Sequence, residues 1–120
     1  MPSPFDGRFK MVIIPWVANP FRGDRLEEEW TPSAEAATRY GAKAWAFIRS
    51  TDDPLSFTQV ALFDKKMDFD RYWLSDEISE ARARIGGIYQ VPLLPTWYEA
   101  VGLGVVSDQM NGANGTEEAA

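Results

Sequence analysis

The chain of 120 residues contains no cysteine and no histidine. Without cysteine it has no disulfides, thiolate nucleophiles, iron–sulfur clusters or cysteine-ligated zinc sites. Without histidine it lacks imidazole acid–base catalysis, His-based catalytic triads and His-ligated haem, zinc or iron. Two large classes of enzyme chemistry are therefore excluded. Any catalysis is left to the remaining side chains, such as amides, aromatic rings and guanidinium groups.

Long hydrophobic runs and basic clusters are also missing. No apolar stretch approaches the roughly 20 residues that cross a bilayer, and residues 1–10 lack the apolar core of a signal peptide. The net charge is −6 and the longest basic run is the pair Lys65-Lys66, which argues against nucleic-acid binding. We predict a soluble cytoplasmic protein that binds neither nucleic acid nor membranes, and the absence of cysteine agrees with a reducing compartment.

The residues that are present predict one folded domain. Apolar residues make up 45% of the chain and five residues are tryptophan, which is enough for a stable core at this length. Residues 1–7 contain proline and glycine and are predicted to be loose. Residues 104–120 are rich in glycine, asparagine and acidic side chains, so they are predicted to form a disordered acidic tail. The predicted domain therefore spans 8–103.

The order of hydrophobic patterns predicts a β-α-β-β-α-β fold. Apolar runs and alternation predict strands over 8–18, 42–50 and 56–64, and a last strand within 90–102 whose entry is marked by Pro92 and Pro95. Helical patterns cover 24–40, with Thr31-Pro32 marking either a kink or a second start, and 69–85, with Asp68 as the cap. This order is the ferredoxin-like split βαβ pattern, an α+β fold with a four-stranded antiparallel sheet and both helices on one face.

The predicted strands are apolar on both faces, although a sheet covered by helices on one side usually has a polar opposite face. In the second strand, Ala44, Ala46 and Ile48 share one face, and Trp45 and Phe47 share the other. A monomer rarely exposes an apolar patch larger than a few hundred Å². We therefore expect a second copy of the chain to cover that face in a symmetric homodimer.

The aromatic residues have two interpretations. In one, they simply fill the core of a small domain. In the other, they line a closed cavity between the helices and the sheet, together with a few polar groups. The two interpretations differ in whether space remains for a ligand.

The second half of the chain resembles the antibiotic-biosynthesis-monooxygenase-like (ABM) domain, and the order of elements extends the resemblance over residues 8–103. The features that carry it are a strand ending at Phe63-Asp64, a helix containing Trp73-x-Ser75 and Glu80-Ala81-Arg82, and the closing strand Trp97-Tyr98-Glu99. The resemblance implies a dimeric α/β barrel built on the ferredoxin-like fold. The interruption near Pro32 departs from the usual first helix of the family.

The family contains haem-degrading oxygenases and cofactor-independent monooxygenases that oxidise polyaromatic substrates. Haem-degrading members hold iron through a histidine on the second helix, where this chain has Tyr72-Trp73 and Glu77-Ile78, so only a tyrosine or a carboxylate is left as a haem ligand. The resemblance therefore implies the cofactor-independent branch, with no cofactor and no metal. In that branch the substrate itself becomes an electron-rich anion, which the protein positions, polarises and shields from water.

For this chemistry the predicted catalytic residues are Asn19, Tyr72, Trp73 and Arg82, and the predicted substrate-binding residues are Trp16, Trp45, Phe47 and Tyr89. Structural roles are the alternative: Asn19 before Pro20 suits a turn, the aromatic residues suit a core or dimer interface, and Arg82 suits an exposed charge. We predict a homodimer that binds a hydrophobic or aromatic small molecule and could act as a cofactor-independent monooxygenase. The alternative is a non-catalytic ligand-binding or scaffolding protein on the same fold.

Overall fold

The computed structural model describes residues 9–106, which form a four-stranded antiparallel sheet and helices packed on one of its faces. The elements are β1 (Lys10–Val17), α1 (Gly23–Glu35) followed by a 3₁₀ helix (Ala36–Tyr40), β2 (Ala44–Arg49), β3 (Ser56–Phe63), α2 (Lys66–Trp73), α3 (Asp76–Arg84) and β4 (Thr96–Glu99). The strand order β2-β3-β1-β4 is the ferredoxin-like order and confirms the predicted fold class. The predictions for 1–7 and for most of the tail lie outside the described residues.

The first helical segment is one continuous helix with Pro32 inside it, followed by the 3₁₀ helix. The N–H that proline lacks would have bonded to the carbonyl of Glu28, an exposed residue whose carbonyl water can reach. The 3₁₀ helix ends at Gly41, which has a φ of 106°, a left-handed conformation that suits glycine. With 13 residues, α1 is the longest helix in the described part of the chain, and no helix there is long and apolar enough to cross a membrane.

The second helical segment is two helices, which corrects the prediction of a single helix capped by Asp68. The first of them, α2, begins earlier than predicted, so Asp68 lies within its first turn. The chain breaks at Ser75, whose hydroxyl accepts the N–H of Ile78 and caps α3. The break leaves the carbonyl of Trp73 near the end of α2 available, and Arg82 Nη1 donates to it at 2.9 Å.

The last strand begins after the two prolines that were predicted to mark its entry, and it occupies only part of the segment 90–102. Pro92 and Pro95 have no N–H to donate to a strand ladder, and β4 starts directly after Pro95. Upstream of both prolines, the N–H of Gln90 donates to the carbonyl of Val17 at 2.8 Å. After Gln90 the chain therefore moves away from β1, and it pairs with β1 again at β4.

The side chains of each strand alternate between the two faces of the sheet as predicted. From β1, Val12, Ile14 and Trp16 are buried against the helices. β2 and β3 pair antiparallel, which confirms the predicted hairpin. The same core includes residues from β3 and all three helices, namely Phe57, Ala61, Phe63, Leu26, Trp30, Phe69, Tyr72, Ile78 and Ala81.

The opposite face of the sheet is also apolar, and this chain covers only one end of it. Leu62 is 4% exposed because it packs with Phe9 and Ala100 from the two ends of the domain. At the other end of the strands, Val17 is 39% exposed and Ile48 is 55% exposed. The prediction of two apolar faces is therefore confirmed, and one of them remains partly uncovered.

Candidate functional site

A group of aromatic rings lies between the sheet and the helices, with Trp16 at its centre. The centroid of the Trp16 ring is 4.6 Å from that of Trp30 and 4.9 Å from that of Tyr89. The rings of Phe47 and Trp73 follow at 6.2 and 6.5 Å. We refer to these five residues as the aromatic cluster. Since Trp16 and Trp30 are buried while the other three are partly exposed, the aromatic cluster extends from the core to the surface.

A buried glutamine holds two rings of the aromatic cluster. Gln59 in β3 is 2% exposed, and its Oε1 accepts the indole N–H of Trp16 at 3.1 Å and that of Trp30 at 3.0 Å. Its Nε2 donates to the hydroxyl of Tyr72 at 2.9 Å, and that hydroxyl donates to the carbonyl of Ser33 at 2.7 Å. Burying polar groups without partners is costly, so these hydrogen bonds explain how the core tolerates an amide.

Neither Gln59 nor Trp30 was among the predicted site residues. The alternation in β3 contained a signal for Gln59, because it places this polar residue on the buried face between Phe57 and Ala61. Trp30 had no such signal. Its contact with Trp16 depends on how α1 lies across the sheet, which a helical pattern does not specify.

Tyr72, a predicted catalytic residue, lies behind the aromatic cluster in the core. It is 0% exposed, and its hydroxyl bonds to two protein groups. Burial raises the pKa of this hydroxyl above its usual value, because the phenolate would lose its hydration. Tyr72 therefore stays protonated at neutral pH, and its catalytic role remains a prediction.

Arg82 lies against the ring of Trp73 and has no carboxylate partner among residues 9–106. The guanidinium carbon is 4.1 Å from the ring centroid, and its donors reach the carbonyl of Trp73 at 2.9 Å and the hydroxyl of Ser79 at 3.5 Å. Partial burial lowers the pKa of Arg82, because the cation loses hydration, but an arginine remains charged. A partly buried cation beside partly exposed rings is suited to binding an anion.

Asn19 connects the loop after β1 to the loop after α3. Its Nδ2 donates to the carbonyl of Gly87 at 2.6 Å, and its backbone N–H donates to the carbonyl of Ile88 at 2.8 Å. Its neighbour Ala18 forms a bridge with Tyr89 of the aromatic cluster. Asn19 thus lies at the edge of the aromatic cluster and holds the loop that carries Tyr89.

The two predicted residues of β2 have different surroundings. Phe47 belongs to the aromatic cluster and stacks on Phe57 at a centroid distance of 5.1 Å. Trp45, two residues earlier, packs on the core but contacts no other ring among the described residues. The structure therefore brings together five of the predicted residues, namely Trp16, Phe47, Trp73, Tyr89 and Arg82.

The described residues line two surface cavities that both lie away from the aromatic cluster. One of about 440 Å³ runs along α1 and is lined by acidic residues that include Glu27 and Glu28. The other, of about 560 Å³, lies beside Phe21, Pro54 and Leu55. No predicted site residue lines either cavity. The candidate site is therefore defined by its side chains: the partly exposed rings of the aromatic cluster and the adjacent guanidinium.

Solved structures with the same fold include proteins named antibiotic biosynthesis monooxygenases. A candidate antibiotic biosynthesis monooxygenase from Nitrosomonas europaea has a TM-score of 0.71 and 16% identity, with 81% of this chain and 94% of that chain covered. A second candidate, from Bordetella bronchiseptica, has a TM-score of 0.66 and 18% identity, with coverage of 82% and 99%. An antibiotic biosynthesis monooxygenase matches with a TM-score of 0.67 and 14% identity, with coverage of 77% and 98%.

No protein-family profile matches the sequence, and no curated protein does. At identities this low, similarity between structures concerns the fold and not the reaction. The chain has an ABM-like fold, which confirms the resemblance noted in the sequence.

Proposed function

We propose that the protein is a homodimer that binds an aromatic small molecule at the aromatic cluster and oxygenates it without a cofactor. The observation that carries this proposal is Arg82, a partly buried cation that pairs with no carboxylate among the described residues and lies 4.1 Å from the ring centroid of Trp73. The partly exposed rings of Tyr89 and Phe47 offer apolar contact, and Arg82 offers charge to an oxyanion. The ABM-like fold supports the proposal, because several solved proteins with this fold are named as monooxygenases.

Oxygenation without a cofactor needs a substrate that supplies the electrons itself. In an anthrone-type substrate, an activated CH₂ group loses a proton to form an anion whose charge is carried by an oxygen atom. Dioxygen then gives one oxygen atom to a new C=O group, and the other leaves as water with the two hydrogens of the CH₂ group. No external reductant is required. The charge of Arg82 would stabilise the oxyanion, and the aromatic cluster would exclude water from it.

The second copy of the chain is proposed to cover the exposed end of the opposite sheet face. Ile48 is 55% exposed there and Val17 is 39% exposed. Tyr98 lies on the same face at the other end of the strands, beside Met11, and is 53% exposed. Burying about 500 Å² of apolar area per subunit would contribute roughly 12 kcal/mol before the costs of association. Since this face is opposite to the aromatic cluster, dimer formation and ligand binding can be tested separately.

Oxygen consumption with anthrone- and quinol-type substrates tests the proposed reaction. Replacing the guanidinium in Arg82→Gln should lower turnover roughly 100-fold, because charge stabilisation of the anion is lost. Arg84→Gln is the matched control, since Arg84 is an exposed arginine on the same helix and should leave turnover within about twofold. Equal turnover in both variants would contradict the role of Arg82.

The alternative function is a non-catalytic ligand-binding or scaffolding protein. Calorimetric titration with 2-naphthoate, an aromatic anion, distinguishes a ligand-binding protein from a scaffold. Binding that depends on Arg82, with no oxygen consumption on any substrate tested, would favour a ligand-binding protein. Neither binding nor oxygen consumption would favour a scaffold.

A further inference from the structure

The amide of Gln59 has only one orientation that satisfies its neighbours. An indole N–H can only donate a hydrogen bond, and two indoles, those of Trp16 and Trp30, reach the same side of the amide. That side must therefore be Oε1, and Nε2 must face Tyr72. Because Nε2 donates to the hydroxyl of Tyr72, the single hydrogen of that hydroxyl must go to another acceptor, which is the carbonyl of Ser33.

This directed chain of hydrogen bonds connects four elements of the fold. Gln59 lies on β3, Trp16 on β1, Trp30 on α1 and Tyr72 on α2. An apolar side chain of the same size would fill the space but would impose no direction on any of these groups. A buried polar group of this kind restricts the arrangement of the core, since turning the amide over would place Nε2 against two indole donors and leave both indoles without their acceptor.

We infer that Gln59 is the positioning residue of the aromatic cluster: it orients the Trp16 ring, against which the partly exposed rings pack, and it directs the Tyr72 hydroxyl proton away from the ligand. The part of this inference that concerns a ligand rests on the proposed function. The part that concerns the rings does not, and it can be tested without any ligand.

Tyr72 takes a positioning role in place of the predicted catalytic one. Its hydroxyl hydrogen is engaged by Ser33 and its oxygen by Gln59, so it has no proton to give to a bound molecule. Burial raises the pKa of this hydroxyl, which agrees with a group that stays protonated as a donor within the network. Tyr72 therefore acts through Gln59 on the position of the rings and is a positioning residue as well.

The substitution Gln59→Glu tests the direction of the network. A protonated glutamic acid has nearly the same shape as the amide and can form the same three hydrogen bonds: its carbonyl oxygen accepts from both indoles, and its O–H donates to Tyr72. An ionised glutamate has no donor and places a charge in the core, so burial should raise its pKa above the usual range. We expect the near-ultraviolet circular dichroism bands of tryptophan to match those of the wild type at low pH and to be lost as the pH rises.

The wild-type protein and Gln59→Met provide the controls for this pH titration. Three titratable groups act on the Tyr72 hydroxyl from neighbouring elements, namely Tyr40, Glu77 and Arg82. These groups and Tyr72 itself are present in the wild type and in both variants, so the wild-type titration measures their contribution. Methionine has the length of glutamine and neither donates nor accepts strongly, so Gln59→Met should show altered tryptophan bands at every pH.

Binding of 2-naphthoate provides the functional readout. Gln59→Met should bind it about tenfold more weakly than the wild type, and Gln59→Glu should recover affinity as the pH falls. Two results would overturn the inference. In the first, Gln59→Met has the tryptophan bands and the affinity of the wild type. In the second, the bands of Gln59→Glu differ from those of Gln59→Met but do not change with pH. If the wild type does not bind 2-naphthoate, the ligand part of the proposed function fails, and the circular dichroism bands still decide the role of Gln59.

A second substitution covers the case in which neither Gln59 variant folds. Tyr72→Phe keeps the ring and removes the acceptor of Gln59 Nε2, so the amide loses one of its three hydrogen bonds and its buried donor loses this partner. Its tryptophan bands and its affinity for 2-naphthoate should change in the direction expected for Gln59→Met. Unchanged bands and affinity in Tyr72→Phe would overturn the inference by an independent route.

Discussion

The two faces of the sheet are both apolar, but the chain completes only one of them. On the face covered by helices, Trp16 and Trp30 are buried and share one acceptor on Gln59. On the opposite face, Ile48 and Val17 remain exposed, and no side-chain hydrogen bond within residues 9–106 joins them to their strand partners Thr58 and Ser56. Hydrophobic burial is non-directional, whereas hydrogen bonds require particular partners. The first face is therefore specified by its own residues, whereas the second remains partly uncovered.

The largest expected effect comes from removing a ring of the aromatic cluster on the covered face. Trp30→Ala removes a side chain that is 0% exposed and leaves the indole of Trp16 as the only remaining indole donor to Gln59. The free energy of unfolding should fall by about 3–5 kcal/mol, measured by urea denaturation. Phe21→Ala is the matched aromatic control, because Phe21 is 99% exposed. Similar losses in both variants would contradict the packing described for α1.

Removing a single hydroxyl should have a smaller effect on stability, and the effect should differ between the two faces. Tyr72→Phe leaves the buried Nε2 of Gln59 without its acceptor, which should lower the free energy of unfolding by about 1–3 kcal/mol. Tyr98→Phe removes a hydroxyl on the opposite face, where Tyr98 is 53% exposed, and should change it by less than about 0.5 kcal/mol. If urea denaturation gives equal changes in the free energy of unfolding for both variants, the hydroxyl groups on the two faces contribute equally to stability.

The opposite face is tested by the oligomeric state. In light scattering the wild type should have twice the mass of the 13.5 kDa chain, and Ile48→Lys should have the mass of one chain, because it places a charge in the proposed apolar interface. Glu28→Lys, on the exposed side of α1, should leave the dimer intact. A wild type that stays at 13.5 kDa on concentration would defeat the proposed dimer.

The smallest expected effect concerns the outer side of the helical layer. Glu77 on α3 accepts from Arg39 Nη1 at 3.0 Å and from the Tyr40 hydroxyl at 3.0 Å, and the hydrogen bond from Arg39 is the main reason that the pKa of Glu77 lies below its usual value. A carboxylate with a lowered pKa adds stability above its unfolded pKa and loses it as the pH falls through its folded pKa.

The urea midpoint of the wild type should therefore approach that of Glu77→Gln as the pH falls below about 4.5, the ordinary value for a glutamate. Above that pH the wild type should be slightly more stable, since the pair is largely exposed. Glu80→Gln on the same helix is the control. If the difference in urea midpoint between the wild type and Glu77→Gln does not become smaller in acid, the lowered pKa of Glu77 is contradicted.

Local patterns predicted much of the fold because strand alternation is a local property. The period of two in β1 and β3 identified both faces correctly, and the hairpin followed from the short connection between β2 and β3. The break before α3 was missed, although Ser75 is a typical helix cap, because the apolar spacing from Phe69 to Ile85 continues across it. Periodicity detects the buried side of a helix but not an interruption that preserves that side.

The candidate site was predicted less well than the fold, since its contacts join residues far apart in the sequence. Trp16 and Gln59 are separated by 43 residues, and Gln59 and Trp30 by 29. Alternation placed Gln59 on the buried face, yet nothing local indicates which donors it meets there. Tyr72 was identified as a polar aromatic residue, but whether its hydroxyl faces a ligand or the core depends on the packing of α2.

The sequence by itself determined the strand pattern, the apolar character of both sheet faces and the absence of cysteine and histidine chemistry, because each is a property of composition or of near neighbours. Only the tertiary structure decided that Trp16 and Trp30 share one amide and that Arg82 lies over Trp73 without a carboxylate partner in the described part of the chain. Hydrogen bonds and ring contacts need particular distances and directions, and these arise only when distant elements pack together.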